Sequence, residues 1–196
     1  ALGSNSFNYK TDFKGTDVSI KLTDYIPNAS SVFEENETGD DYLLFVESGG
    51  SGRHNHYIKR GSSEVVHGVL VGFDSPTKNT IDFKYSDSQL KIQSAVEGQY
   101  FRMADSFEGN IAKDSLQDFS ILAVHSIAGL QFVIPKNPIK GNYKTVAGDK
   151  EQNSLAQLEF DVTTGGETKH IKLNGGKFAI QPPTQFSVGK LNFRMR

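Results

Sequence analysis

Two histidines two residues apart, His54 and His56 in Arg53-His54-Asn55-His56-Tyr57, have the spacing most suggestive of chemistry. On a β-strand, side chains at i and i+2 point to one face, about 6.6–6.8 Å apart along the chain. Both imidazoles could then reach one metal ion in an equatorial or tetrahedral arrangement. The same geometry excludes bis-histidine haem ligation, because axial nitrogens lie on opposite faces of a porphyrin, although one ring could serve as a single axial ligand. A bare H-x-H pair lacks two ligands of a closed zinc site. The bland expectation is a solvent-facing pair bonded to backbone or to Glu47.

The second cluster is Tyr100-Phe101-Arg102-Met103-Ala104-Asp105-Ser106-Phe107. Arg102 and Asp105 are expected to pair and fix a loop, since isolated ion pairs are common structural features. Phe101, Met103 and Phe107 would otherwise form an apolar, polarizable surface for a ligand or an unfolded peptide. Arg53 and Tyr57 flank the histidine pair and join these as candidate partner contacts. His67 and His125 sit in apolar runs and are expected in the core, and His170 lies on an alternating segment and is expected at the surface.

Other chemistries fail on pattern. There is no G-x-S-x-G elbow, no H-E-x-x-H, no Walker loop and no dinucleotide-binding G-x-G-x-x-G. The chain has no cysteine, which removes disulfides, thiol nucleophiles and Cys-ligated metals from its 196 residues. Scattered basic residues and a formal charge of −2 argue against nucleic acid as a partner. No apolar run approaches the ~20 residues of a spanning helix.

The elements that must hold these residues read as strands. Strict apolar–polar alternation runs through Val18 to Thr23, Ile81 to Tyr85, Leu90 to Gln93, Leu158 to Val162, Ile171 to Leu173 and Leu191 to Met195. More continuous apolar runs at Leu43 to Val46, Val65 to Phe73, Ile121 to Val124 and Phe132 to Ile134 predict buried strands. Turn chemistry at Asp74-Ser75-Pro76, Ser86-Asp87-Ser88 and Thr164-Gly165-Gly166-Glu167 separates them, the last predicting a hairpin from Leu158 to Leu173. Helical turns are expected only at Ser30 to Asn36 and Asp105 to Leu116. The fold class is therefore all-β: an antiparallel sandwich- or barrel-like domain over residues 1–196, built of about a dozen short strands. Lys136 to Gly141 is the best hinge. The start without methionine and the strand-like ending suggest an excised fragment of a longer protein.

In their order, Phe13-Lys14-Gly15-Thr16-Asp17-Val18, Leu22 to Ala29, Arg53 to Tyr57, Phe101 to Asp105, Lys113 to Gln117 and Gly129 to Pro135 resemble the ResB/CcsB family of System II cytochrome c biogenesis. The likeness runs from about Phe13 to Phe193. It is greatest to the extracytoplasmic part of the fused form, in which a ResB-like half precedes a CcsA-like half. The resemblance implies a domain of a cell-membrane protein on the periplasmic side, acting with the CcsA-like membrane half. That complex presents reduced haem to the C-x-x-C-H thiols of apocytochrome c. It implies a positioning module with no catalytic residue of its own, and no haem held firmly by this chain. The family's haem-holding histidines lie mainly in its CcsA-like half and membrane helices. A cysteine-free surface fits such a role, because a thiol there would form mixed disulfides with the substrate. The alternative is an all-β envelope module that binds carbohydrate or another ligand, disfavoured by the lack of tryptophan stacking platforms. A third possibility is a structural module that orients the two membrane halves.

Overall fold

A computed structural model describes residues 7–50, 52–149, 155–175 and 183–195. The described residues contain eighteen strands and no helix, so none is long and apolar enough to cross a membrane. The chain is all-β, as the alternation predicts, and the strands form several largely antiparallel sheets, of which none closes into a barrel among the described residues. The chain divides into two compact units, residues 33–142 and residues 1–32 with 143–196.

Ten strands lie within the first unit, β4 (Gly52–Lys59), β5 (Ser62–Val66), β6 (Val69–Phe73), β7 (Ile81–Ser86), β8 (Gln89–Ser94), β9 (Gly98–Arg102), β10 (Phe107–Ile111), β11 (Gln117–Asp118), β12 (Ala123–Ile127) and β13 (Leu130–Val133), and two more, β3 (Ala29–Gly49) and β14 (Ile139–Ala147), lie partly within it. One sheet runs β10-β9-β12-β13-β3-β14, with β4 also paired to β3, and a second runs β11-β8-β7-β6-β5. Each has an apolar face, and burying those faces against each other forms the core. Phe45 and Phe132 stack with ring centroids 4.4 Å apart, and Phe83 from the second sheet meets both edge-on. Leu43, Ile58, Val71, Phe73, Ile81 and Ile92 complete the centre of this cluster, none more than 1% exposed. Where β3 meets β14, Gly39 and Gly141 lie against each other with no room for a Cβ on either.

The second unit contains β1 (Asn8–Phe13), β2 (Thr16–Ile26), β15 (Ala156–Thr164), β16 (Glu167–Gly175), β17 (Thr184–Val188) and β18 (Leu191–Met195). The first four form one antiparallel sheet in the order β1-β2-β15-β16, and β17–β18 is a hairpin. Val162, Ile171 and Val188 form its small core, with Phe160, Phe186 and Phe193 packed against it. The expected Leu158–Leu173 hairpin is present and turns at Gly165 and Gly166.

On that hairpin His170 is exposed, as the alternation implies, and sits between two carboxylates. Its Nδ1 is 2.8 Å from Asp161 Oδ1 and its Nε2 is 2.9 Å from Glu159 Oε2. Two acceptors on two ring nitrogens favour the doubly protonated ring, so Asp161 first and Glu159 second raise its pKa above the ordinary 6.5. The associated stability is complete below the unfolded-state pKa and is lost as pH rises through the raised folded-state value. An NMR titration of the ring protons should give a midpoint above 6.5 that drops in Asp161→Asn; an unchanged midpoint would show that the pair does not form in solution.

Three sequence expectations give way here. Ser30 to Asn36 is part of the 21-residue strand β3, and Asp105 to Leu116 contains a turn, strand β10 and a loop; ladder pairing outweighs local helix preference in both. Val65 to Phe73 is two strands, because His67 (φ 44°) and Gly68 (φ 82°) make the tight turn of a β5–β6 hairpin. His67 is accordingly not a core residue. Its side chain is 62% exposed, with Nε2 3.0 Å from the buried Glu47 carboxylate.

Candidate functional site

The seven-stranded sheet hides one face in the sandwich and turns the other outward. On β9, β12, β13 and β3 the inward residues include Tyr100, His125, Phe132 and Phe45, so period-two alternation sends Phe101, Val124, Val133 and Val46 to the outside. Cross-strand pairing aligns these four. Phe101 faces Val124, Val133 faces Val46, and the β12–β13 register continued by one step places Val124 beside Val133. The result is an apolar stripe running across the strands.

At one end of this stripe is a recess of about 410 Å³ lined by Val46, Val124, Val133, Leu122, Met103 and Pro135, with Arg53 and Gln131 supplying polar groups. Met103 is 65% exposed and Leu122 59% exposed, and an apolar surface left open in this way marks a contact site more often than a packing site. Leu122 was expected inside a buried strand. Instead it adopts φ 62° in the turn before β12, and its N–H donates to Ile134 O at 3.0 Å. A left-handed conformation costs a non-glycine residue roughly 1–2 kcal/mol, and here it puts a leucine on the rim.

Arg102 and Asp105 pair as expected, in a fork with Nε donating to Oδ1 at 2.8 Å and Nη2 to Oδ2 at 2.7 Å. The guanidinium holds the Asp105 carboxyl below its usual range and is itself raised by it. Both groups are exposed, so the bridge adds little stability and serves to close the turn carrying Met103. Phe101 and Phe107 do not act together. Phe107 lies opposite Arg102 and Phe101 opposite Glu108 across the β9–β10 ladder, which puts the two rings on opposite faces. Phe107 packs under the Arg102 guanidinium, 4.9 Å from its centroid, and beside Tyr100.

His54 and His56 do share a face of β4, and it is the inward one, opposite Glu47 and Phe45. His56 Nδ1 is 2.7 Å from Glu64 Oε1, while His54 is exposed. Glu47, opposite His54 on the neighbouring strand, lies within ion-pair distance of His67. No group of three or more metal-ligating side chains is assembled among the described residues. Tyr57 stacks on Phe33 with centroids 4.0 Å apart, a packing contact.

Thus the outer recess unites Arg53 with Met103, as no local pattern could reveal. It adds Leu122, Val124, Gln131 and Pro135, which the sequence did not single out as contacts. Their one available signal was membership in the Gly129–Pro135 stretch for Gln131 and Pro135. No family model, curated protein or solved structure matches this chain.

Proposed function

We propose that the chain is an extracytoplasmic module of a ResB/CcsB-type protein of the cell membrane, and that it positions apocytochrome c while the CcsA-like half of the complex handles haem. The observation that carries this reading is convergence. Three of the stretches that resemble the family, Arg53–Tyr57, Phe101–Asp105 and Gly129–Pro135, are distant in sequence and contribute Arg53, Met103 and Gln131 to Val133 with Pro135 to one recess. An apolar floor with few polar groups suits an extended, incompletely folded polypeptide, whose side chains are accessible before haem attachment. Binding and orientation are what this surface supplies; covalent chemistry belongs to the thiols and haem brought to it.

The test is a Met103→Ser/Leu122→Ser variant. Both side chains are well exposed, so the fold is expected to survive, as circular dichroism would verify. Removing two apolar contacts should weaken binding of a reduced C-x-x-C-H peptide about tenfold, in line with roughly 1–2 kcal/mol of lost burial, and should reduce holocytochrome c yield when placed in the full membrane protein. A folded variant with unchanged peptide affinity and yield would sink the proposal.

A further inference from the structure

The outer face carries a second row of residues beside the apolar stripe, and the two rows together define a direction. Asn110 pairs with Gln99, Gln99 with Ser126, Ser126 with Gln131, and Ser48 with Arg53; continuing the β13–β3 register sets Gln131 beside Ser48. All six of these side chains are exposed. The parallel row is Glu108, Phe101, Val124, Val133, Val46 and Asn55. Each row crosses six strands, so at about 4.7–4.9 Å per strand its length is about 24 Å. Two further recesses of about 620 Å³ each continue from the apolar one in series. One shares Val124 and Gln131 with it, and the other shares Gln99, Asn110 and Ser126 with the first, giving an unbroken trough.

Resting on the peptide-binding reading above, we infer that this trough takes an extended peptide of about seven residues lying across the strands, with a basic residue over β10 and an acidic residue over β4. Seven residues at about 3.3–3.4 Å each match the 24 Å span. Carboxamides and hydroxyls of the polar row can both donate to and accept from a peptide backbone. The apolar row lies along one side to receive every second side chain. The ends differ in charge: Glu108 lines the trough at β10 and Arg53 lines it at β4. Complementary charges at the two ends select the occupant more than they tighten it. Edge addition to an outer strand, the usual way a sheet binds peptide, would ignore this polarity.

The experiment titrates three seven-residue peptides of alternating valine and serine into the full 196-residue chain: one with lysine and glutamate at opposite ends, one with lysine at both, one with glutamate at both. The mixed peptide should bind about fivefold more tightly than either like-charged one, the scale of an exposed ion pair. Arg53→Glu should transfer the preference to the double-lysine peptide and Glu108→Lys to the double-glutamate peptide. Ser126→Tyr, which fills the trough midway without touching the core, should abolish binding of all three. If binding is lost in Ser126→Tyr but indifferent to end charge, the crosswise placement is wrong while the peptide-binding face stands. If Ser126→Tyr binds as well as wild type, or nothing binds wild type, the face itself is wrong.

Discussion

Replacing Phe83 by alanine is expected to lower the unfolding free energy by about 3–5 kcal/mol, the range for deleting a fully buried aromatic side chain. Phe83 is 0% exposed and projects from β7 of the five-stranded sheet into the other sheet of the sandwich. Its ring centroid lies 6.3 Å from Phe45 and 6.1 Å from Phe132, both edge-on, and 5.2 Å from Phe119. The substitution leaves a cavity among three rings that rigid strands on both sides cannot close. Phe83→Leu keeps most of the volume and should cost only about 1–1.5 kcal/mol. Urea unfolding followed by circular dichroism measures both, and an alanine variant within 1 kcal/mol of wild type would mean that the two sheets are not joined through this ring.

His125 should make the protein acid-sensitive well above the carboxylate range. It is fully buried, stacked 4.1 Å from Phe119 and 5.3 Å from Tyr100, and its Nδ1 lies 3.0 Å from Ala123 O. A carbonyl only accepts, so Nδ1 carries the proton of the neutral ring and Nε2 is the bare nitrogen, buried without a partner among the described residues. Burial lowers the pKa from 6.5 to about 4, opposed in part by the Ala123 carbonyl. In the unfolded chain the ring takes up its proton near 6.5, and in the folded chain only near 4. Between those values the unfolded state binds more protons, so stability falls as pH falls and levels off below about 4. A shift of this size corresponds to about 3 kcal/mol over the window. His125→Phe, which preserves the aromatic stack, should flatten stability between pH 6.5 and 4. Denaturant midpoints across that range provide the check, and an equally steep acid limb in the variant would assign the effect to other groups.

Much of this protein is written in local pattern. Alternation at Val18 to Thr23 and Leu158 to Val162 marks strands because a half-buried strand must present every second residue to the core. Gly165-Gly166 marks a hairpin because both central residues need positive φ. Arg102 and Asp105 are close enough in sequence for their bridge to be anticipated, and His54 and His56 share a face because strand geometry requires it. Local pattern failed where a left-handed residue interrupted an apolar run. His67 and Leu122 look like strand interior, yet both turn the chain, since neither imidazole nor isobutyl side chain announces the backbone conformation that tertiary pairing imposes.

Tertiary structure decided which strands far apart in the chain are neighbours. Period two places Phe101 and Phe107 on faces of their own strands, but only the β9–β10 register shows that those faces are opposite. It likewise gives no reason for Arg53 of β4 to share a recess with Met103 beyond β9, because β12, β13 and β3 lie between them and the β13–β3 and β12–β9 pairings join segments far apart in the chain. The sequence by itself determined an all-β chain with charged turns and a core of alternating Phe, Ile, Leu and Val. Long-range register, set by matching buried faces between strands far apart in the chain, decided which of its exposed residues stand together.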